Sequence, residues 1–339
     1  MMTRPRLRTG SLCLRNTEGG NWRTIFSRFA NAMKSPRRVI VKLVCKQGAF
    51  VGLAALLHLG WTSPATGAAA PKLPPLTTAS GNPRLPGKMV WADLVTDDVI
   101  KAREFYVRLF GWKFWEIGNY TIGANDFRPI CGMFQRERPK DRPAQPRWFT
   151  YISVSNVDRA KQAVTKAGGK VLAEPKKMPD RGEQAVFADT EGAMFGVVKS
   201  SAGDPEDFLA EPGDWIWVQL LSRNAKQAAE FYRVVAGYEV LANTETNRLS
   251  DYVLTSEGYA RATVRNIPAT NQTLQPVWLP FVRVKNVGES VELAKKLGGR
   301  ALIEPKSELL QGKVAVIADP TGASIGLLEW SSSLVKGAK

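Results

Sequence analysis

An internal repeat is the feature that most constrains how this chain can fold. The stretch VWADLVTDDVIKAREFYVRLFGW, residues 90–112, returns 126 positions later as IWVQLLSRNAKQAAEFYRVVAGY, residues 216–238, with Trp, Leu, Ala, Glu, Phe, Tyr and Gly in register. Each copy begins with a short apolar run and continues with apolar positions at helical spacing before a glycine. This order predicts a strand, an amphipathic helix and a helix stop. Repetition on this scale predicts a modular architecture.

Each copy belongs to a larger unit that is itself double. The segment WFTYISVSNVDRAKQAVTKAGGKVLAEP, from residue 148, matches WLPFVRVKNVGESVELAKKLGGRALIEP, which begins 130 positions later. Both segments again place a strand before a helix with a Gly-Gly stop, and short β-rich runs follow each helix. The sequence therefore predicts an α+β fold in which a β-α-β-β-β module occurs four times.

Composition divides the chain around these units. The two units span residues 89–200 and 213–331, and a polar segment with Gly and Pro, residues 201–212, links them. Residues 71–88 are rich in Pro and Gly and are predicted to be a flexible tether. Residues 332–339 form a C-terminal tail, and residues 1–70 are predicted to be an export leader.

The leader explains most of the basic charge. The whole chain carries a formal charge of +16, and residues 1–70 hold eleven Lys or Arg and one Glu. A basic stretch precedes the uncharged apolar run 49–61 and a small-residue stretch that ends near Ala70, which is the pattern of a signal peptide. The signal is expected to start near Met33 and to direct the protein to the periplasm, through the Sec route or, given Arg37 and Arg38, the twin-arginine route. An uncleaved leader that anchors the chain in the membrane is the alternative, although the apolar run is short for a span. After cleavage no stable membrane span is expected.

Removal of the leader excludes several kinds of chemistry. The only histidine, His58, lies in the apolar run, and Cys131 is the only cysteine beyond the leader. The mature chain can therefore form no internal disulfide, no zinc site of the usual Cys/His kind and no His-activated nucleophile. Cys131 has apolar neighbours and is expected to be buried and inert. The basic segment 135–147 has no interleaved aromatic residues, so no nucleic-acid partner is expected.

The ordered set of AREFYVRLFGW, NVDRAKQAVTKAGG and FADTEGAMFGVV, with its second copy, resembles the vicinal oxygen chelate superfamily, which includes glyoxalase I and the extradiol dioxygenases. The resemblance covers residues 89–331 and implies two glyoxalase-like domains whose open mixed sheets form cups. In this superfamily the cup normally holds a divalent metal bound by His and Glu. No carboxylate lies around residues 131–133 or 260–262, and the other metal-ligand positions fall on residues without metal-binding side chains: Trp91, Phe149 and Gly196 in the first unit, and Trp217, Leu279 and Gly326 in the second. We therefore expect neither a metal cofactor nor metal-dependent glyoxalase or dioxygenase activity.

The candidate ligand-binding residues are aromatic residues at these positions and residues that share their strand parity, together with Tyr252 as a wall residue in the segment LSDYVLTS. Asp93 is the one candidate catalytic base, with hydrogen bonding to Tyr151 as its alternative role. The two tryptophans can form a stacking surface or fill a closed cup, and Arg283 can bind a carboxylate or lie exposed at a strand end. The full candidate set is Trp91, Asp93, Phe149, Tyr151, Trp217, Gln219, Tyr252, Phe281 and Arg283.

Three functions follow as hypotheses. The first is an exported protein that binds a small organic molecule in a metal-free cup. The second is a metal-independent enzyme that uses polar cup residues, and the third is an interaction module whose cups are filled. A small-molecule ligand is the expected partner, and the chain is expected to be a monomer or a homodimer.

Overall fold

The computed structural model describes residues 73–77, 81–137, 145–243, 250–269, 271 and 273–330. The helices are α1 (Val99–Phe110), α2 (Val157–Lys166), α3 (Ala225–Ala236) and α4 (Val287–Lys296). The strands of the first unit are β1 (Met89–Thr96), β2 (Lys113–Ile117), β3 (Tyr120–Asn125), β4 (Arg128–Gln135), β5 (Arg147–Ser153), β6 (Lys170–Met178), β7 (Gly182–Ala188) and β8 (Met194–Ser200). Those of the second unit are β9 (Trp215–Ser222), β10 (Glu239–Ala242), β11 (Tyr252–Ser256), β12 (Tyr259–Asn266), β13 (Val277–Val284), β14 (Arg300–Ile303), β15 (Val314–Ala318) and β16 (Ser324–Glu329).

The strands form two open, eight-stranded mixed sheets of the same topology. Their orders are β2-β3-β4-β1-β5-β8-β7-β6 and β10-β11-β12-β9-β13-β16-β15-β14. Within each sheet the first strands of the two modules pair antiparallel, β1 with β5 and β9 with β13, and each also pairs parallel with the last strand of its own module. The prediction of an α+β fold built from four βαβββ modules is confirmed.

The ends of α1 follow directly from the local sequence. The Asp98 carboxylate accepts a hydrogen bond from the Lys101 amide at 2.9 Å, which satisfies one of the free N–H groups at the helix start. Gly111 ends the helix with a φ of 76°, a left-handed conformation that costs glycine little. Phe105 and Tyr106 lie on the buried side of the helix, as their spacing predicts.

The helices lie between the two sheets and give the two units a shared core. Helix α1 contacts α4 of the other unit, and α2 contacts α3. One apolar cluster joins Phe195 of the first unit to Phe231 and Leu220 of the second, and another joins Phe105 to Ile325. Each predicted unit, 89–200 or 213–331, thus contains one sheet. The two units are held together by the apolar surface that they bury against each other.

Two buried hydrogen-bonded relays cross the same interface. The Trp148 indole N–H donates to the Tyr106 hydroxyl at 2.8 Å, and that hydroxyl donates to the Asp319 carboxylate of the other unit at 2.9 Å. Each buried polar atom in this relay has a partner, which offsets the cost of removing it from water. A pseudo-symmetric relay, with distances of 2.8 and 3.2 Å, is formed by Trp278, Tyr232 and Asp189.

The described part of the predicted tether is packed against both units. Leu73 and Leu76 are 5% and 2% exposed, respectively, and belong to an apolar cluster of the first unit. The Gly87 amide donates to the Ser153 carbonyl at 2.8 Å, and the Tyr238 hydroxyl donates to the Gly87 carbonyl at 2.5 Å. This packing differs from the expected flexible spacer, because two buried leucines and backbone hydrogen bonds fix a segment that has no helical or strand periodicity.

The segment between the units is also held by specific contacts. The Asp204 carboxylate accepts a hydrogen bond from the Ser153 hydroxyl at 2.5 Å. Asp207 forms ion pairs with Lys88 at 3.0 Å and with Arg261 at 2.9 Å. Burial disfavours the charged form of Asp207, yet these two cations hold its pKa below the usual range. The linker thus ties the predicted tether to the second sheet.

The predicted leader, residues 1–70, and the tail, residues 332–339, lie outside the described residues. Within the described ranges, no helix has both the length and the apolar character needed to cross a bilayer.

Candidate functional site

Each sheet has one face against the helices and one face directed away from them, and the second face carries most of the candidate residues. We call these faces the N-terminal cup, formed by Trp91, Asp93, Tyr120, Phe149, Tyr151 and Arg181, and the C-terminal cup, formed by Trp217, Gln219, Thr263, Leu279 and Phe281. Strand pairing places equivalent residues side by side. The pairs are Trp91 with Tyr151, Asp93 with Phe149, Trp217 with Phe281 and Gln219 with Leu279.

A buried hydrogen-bonded cluster surrounds Asp93 in the N-terminal cup. The Trp91 indole N–H and the Tyr120 hydroxyl donate to the same carboxylate oxygen at 2.9 and 2.6 Å, and Tyr151 is a further hydrogen-bond partner. All four side chains are at most 4% exposed. The structure thus brings together three residues that the sequence predicted and adds Tyr120.

Burial is the largest influence on the acidity of this cluster. It raises the pKa of Asp93, while the donors Tyr120, Trp91 and Tyr151 and the charge of Arg181 act in the opposite direction. Burial and the neighbouring carboxylate raise the pKa values of Tyr120 and Tyr151 well above the ordinary tyrosine value, so both phenols remain protonated donors. A buried carboxyl group with a raised pKa keeps its proton to a higher pH than an exposed one, which makes Asp93 a candidate for proton transfer.

Arg181 supplies the positive charge of the N-terminal cup. Its side chain lies in the loop between β6 and β7, is 2% exposed, and its guanidinium carbon is 4.4 Å from the centroid of the Trp91 ring. Its Nε donates to the Pro74 carbonyl at 2.7 Å, so the packed segment 73–77 contributes to this cup. Stacking of a guanidinium on an indole is a favourable cation–π arrangement.

The metal-ligand positions of the resemblance do converge, but their side chains do not fit a metal ion. Trp91, Phe149 and Gly196 lie on neighbouring strands β1, β5 and β8, and none has an oxygen, sulfur or imidazole donor. Asp93 is the nearby carboxylate, and one of its two oxygens, Oδ1, already accepts hydrogen bonds from Trp91 and Tyr120. Across the part of the chain that the structure describes, no three His, Cys, Asp or Glu side chains gather as a set of ligands.

The metal-ligand position on the last strand of each sheet, Gly196 or Gly326, has no room for a carboxylate side chain. A Cβ atom added at Gly196 would overlap the ring of Tyr151, and one added at Gly326 would overlap the ring of Phe281. In both cups an aromatic side chain from the neighbouring strand therefore covers the last-strand position at which the resemblance implies a metal-binding glutamate. Close packing of this kind does not accept a larger residue without displacement.

The five residues that define the C-terminal cup are uncharged, and two of them are more accessible than their counterparts in the N-terminal cup. Arg265, two positions after Thr263 on β12, carries a positive charge on the same face of the sheet. The Trp217 indole N–H and the Gln219 amide both donate to the Thr263 hydroxyl, at 3.0 and 3.2 Å. Trp217 and Gln219 are half-buried, whereas Leu279 and Phe281 are buried. Thr263 thus takes the acceptor role that Asp93 has for Trp91 in the N-terminal cup.

Two of the predicted ligand-binding residues, Tyr252 and Arg283, do not lie in the environment that the sequence predicted. Tyr252 packs against the apolar cluster on the helix side of the second sheet, so it does not line the cup. Its strand pairing with Val264, which in turn pairs with Leu220, places it on that face. Arg283 donates to the backbone carbonyls of Ala210 and Trp330, so its guanidinium fixes the chain at the sheet edge.

Cys131 is buried on the helix side of β4, as expected for an inert thiol. Burial raises its pKa well above the ordinary value, which disfavours the reactive thiolate.

Sequence reasoning missed Tyr120, Arg181 and Thr263. Tyr120 and Thr263 reach the cups through strand register, which the sequence alone does not specify. The one available signal was Gly132 opposite Asp93, because a glycine inside a strand indicates close approach of another group. That group is the Tyr120 hydroxyl, which lies where a Cβ of residue 132 would stand.

Comparison with known proteins agrees with this architecture. The family model of the Glyoxalase/Bleomycin resistance protein/Dioxygenase superfamily matches residues 88–197. The chain is 29% identical over 262 residues to the anthracycline biosynthesis protein DauV of Streptomyces sp. (strain C5), covering 72% of this chain and 94% of DauV. It is 32% identical over 121 residues to a glyoxylase-like domain-containing protein of Didymella fabae, covering 33% of this chain and 94% of that relative.

A solved structure with the same fold is the 2,3-dioxygenase LapB from Pseudomonas sp. KL28. It superposes with a TM-score of 0.52 at 10% sequence identity and covers 73% of this chain and 93% of LapB. At that identity the similarity concerns the fold alone. Together with the family model and the relatives, it shows that the chain belongs to the vicinal oxygen chelate superfamily of glyoxalases, bleomycin resistance proteins and dioxygenases.

Proposed function

We propose that this protein binds a small organic molecule in the C-terminal cup without a metal ion. The observation that carries the proposal is the accessibility of Trp217 and Gln219, which are half-buried, while their counterparts Trp91 and Asp93 are 1% and 4% exposed. An aromatic wall with a few polar groups is the usual composition of a small-molecule site.

The residues of the C-terminal cup indicate a neutral ligand with an aromatic face. The indole of Trp217 and the buried ring of Phe281 offer apolar contact, and burial of such surface is the main source of affinity. The Thr263 hydroxyl accepts from both Trp217 and Gln219, so its own proton is the donor that it can offer to a ligand. Arg283, the nearest predicted anion-binding residue, is engaged by backbone carbonyls.

The relatives support an aromatic probe. DauV is named as an anthracycline biosynthesis protein, so an anthracycline belongs in the test together with 1-naphthol, a small neutral aromatic alcohol. The proposal requires only that the ligand has an aromatic face and one hydrogen-bonding group.

The experiment is a titration of the protein with 1-naphthol and with an anthracycline, monitored by calorimetry. Trp217→Ala is expected to weaken binding at least about tenfold, because it removes the stacking wall. Trp115→Ala is the matched control, since Trp115 is 41% exposed on the edge strand β2 of the first sheet and is not part of the C-terminal cup. Unchanged affinity in Trp217→Ala would contradict the proposal.

The N-terminal cup favours a different interpretation. Its side chains and residues 73–77 fill it, which supports the hypothesis of a closed module in the first unit. The buried Asp93 with its raised pKa is the observation that favours the enzyme hypothesis, and Asp93→Asn separates the two. If Asp93→Asn abolishes turnover but keeps the affinity for ligand, Asp93 is catalytic. If the first unit is a closed module, Asp93→Asn changes neither turnover nor ligand affinity.

Export to the periplasm is part of the proposal and rests on the sequence of residues 1–70. Cell fractionation of the full chain is expected to place the mature protein in the periplasm. Replacement of Arg37 and Arg38 by Lys is expected to block export if the twin-arginine route is used and to leave it intact if the Sec route is used. A full-length product that stays in the membrane fraction would favour the uncleaved anchor.

A further inference from the structure

Arg181 is a buried charge whose partners are incomplete. Its guanidinium lies between the Trp91 ring at 4.4 Å and the Pro74 carbonyl at 2.7 Å from Nε, and it is 2% exposed. Its Nη2 is buried without a hydrogen-bond acceptor among the described residues. An arginine remains charged under all ordinary conditions, so burial in this state is costly.

Asp93 does not neutralise this charge directly. One oxygen of Asp93 is engaged by Trp91 and Tyr120, and among the described residues Arg181 influences Asp93 through its charge and not through a direct ion pair. The N-terminal cup therefore contains a cation with an open donor, and the Asp93 carboxyl acts on this cation only through space, without a direct hydrogen bond to Nη2. A carboxylate is the group that fits, because its two oxygens can accept from Nε and Nη2 at once.

Residues 73–77 occupy the position that such a group would take. The Pro74 carbonyl gives Arg181 a single neutral acceptor. On either side of it, Leu73 and Leu76 are buried in the same apolar cluster as Phe149 and Met178. The segment thus combines an oxygen acceptor with apolar groups, which is also the composition of an apolar carboxylic acid.

We propose that the N-terminal cup is a second binding site, for an apolar carboxylic acid, and that residues 73–77 fill this site until the acid displaces them. The acid binds with its carboxylate on Arg181 and its apolar part in place of Leu73 and Leu76. The affinity is reduced by the fraction of molecules in which the segment covers the cup. This site differs from the C-terminal cup in place and in ligand charge, so it does not depend on the function proposed above.

The test uses 1-naphthoate as the probe and 1-naphthol as its neutral counterpart, with the full chain. Replacing both Leu73 and Leu76 by Ala weakens the segment's hold, and it is expected to tighten naphthoate binding about tenfold. Arg181→Gln in that background is expected to reverse the gain, and Trp217→Ala is expected to reduce naphthol binding alone. A leucine variant with unchanged naphthoate affinity, or equal binding by Arg181→Gln, would overturn the proposal.

A second measurement avoids any variant that fails to fold. Hydrogen exchange of the unaltered chain is expected to speed up at the amides of Leu73, Leu76 and Thr77 when 1-naphthoate is added, and not when 1-naphthol is added; Pro74 and Pro75 have no amide hydrogen to exchange. Slower or unchanged exchange at these residues under saturating naphthoate would also overturn the proposal, because the acid would then bind without displacing the segment.

Discussion

The two cups have the same strand order but different floors. In the N-terminal cup Trp91 donates to a buried carboxylate, Asp93, with a phenol from Tyr120 on the same oxygen. In the C-terminal cup Trp217 donates to the hydroxyl of Thr263, and the residue equivalent to Asp93 is Gln219. One scaffold thus supports a sealed charged floor and a half-open neutral floor, and the difference comes from a few inward-facing positions.

Gly132 is where the two floors differ most in packing, and Gly132→Ala is expected to have the largest effect on stability. The added Cβ would overlap the Tyr120 hydroxyl and the Asp93 carboxylate, so the cluster would have to move. The expected loss is about 3 kcal/mol of unfolding free energy, measured by urea denaturation. Thr263→Ala at the equivalent place, where no side chain is displaced, should cost about 1 kcal/mol. Equal losses would show that the floors are packed alike.

Comparing Asp93→Ala with Gln219→Ala tests how much the polar residue at this equivalent position contributes to stability in each cup. The first change leaves the buried Tyr120 hydroxyl proton without its acceptor, while Trp91 keeps only its 3.0 Å hydrogen bond to the Tyr120 oxygen, and it should cost about 2 to 3 kcal/mol. The second occurs at a half-buried position, where water can replace the amide, and should cost less than about 1 kcal/mol. Denaturation of both variants measures the difference, and a larger loss in Gln219→Ala would reverse the comparison.

Tyr106→Phe and Tyr232→Phe test a feature that the two units share, and the two variants should lose the same amount of stability. Each change removes a hydroxyl that links a Trp to an Asp across the helix layer. Losses of about 1 to 2 kcal/mol are expected for each variant, because two buried groups lose a partner. Thermal unfolding of both variants should show one cooperative transition, since the units share their core. Two separate transitions in either variant would contradict the shared core.

The smallest expected difference between the two cups is in how the free energy of unfolding depends on pH. The folded-state pKa of Asp93 is raised above the unfolded value, so between the two values the folded state binds more protons than the unfolded state. The free energy of unfolding is therefore expected to fall as the pH rises through this window, and Asp93→Asn should flatten that part of the profile. Gln219→Glu, at a half-buried position, should add a weaker slope of the same sign. An unchanged profile in Asp93→Asn would show that the carboxyl ionises as freely in the folded chain as in the unfolded one.

Much of the fold could be predicted from the repeats, but the sites could be predicted only in part. Helix spacing and caps such as Asp98 and Gly111 act within a few residues, so they are visible in the sequence. Parity along β1 and β5 also placed Trp91, Asp93 and Tyr151 together correctly. Tyr252, proposed as a cup wall residue from its local segment alone, lies on the helix side, because strand register decides which face carries a side chain. By strand pairing its counterpart in the first unit is Thr121, not Tyr120, although NYTIG and DYVLTS look alike.

The sequence by itself determined the modules, their number and their order, because these features depend on local periodicity. That Trp91 and Trp217 stand at metal-ligand positions is implied by the family resemblance alone. Only the tertiary structure decided that Tyr120 reaches Asp93, that Arg181 stacks on Trp91, and that residues 73–77 pack into the first cup. These contacts join residues far apart in the chain, and they depend on register, loop path and close packing. None of those quantities is encoded in the pattern of any single segment.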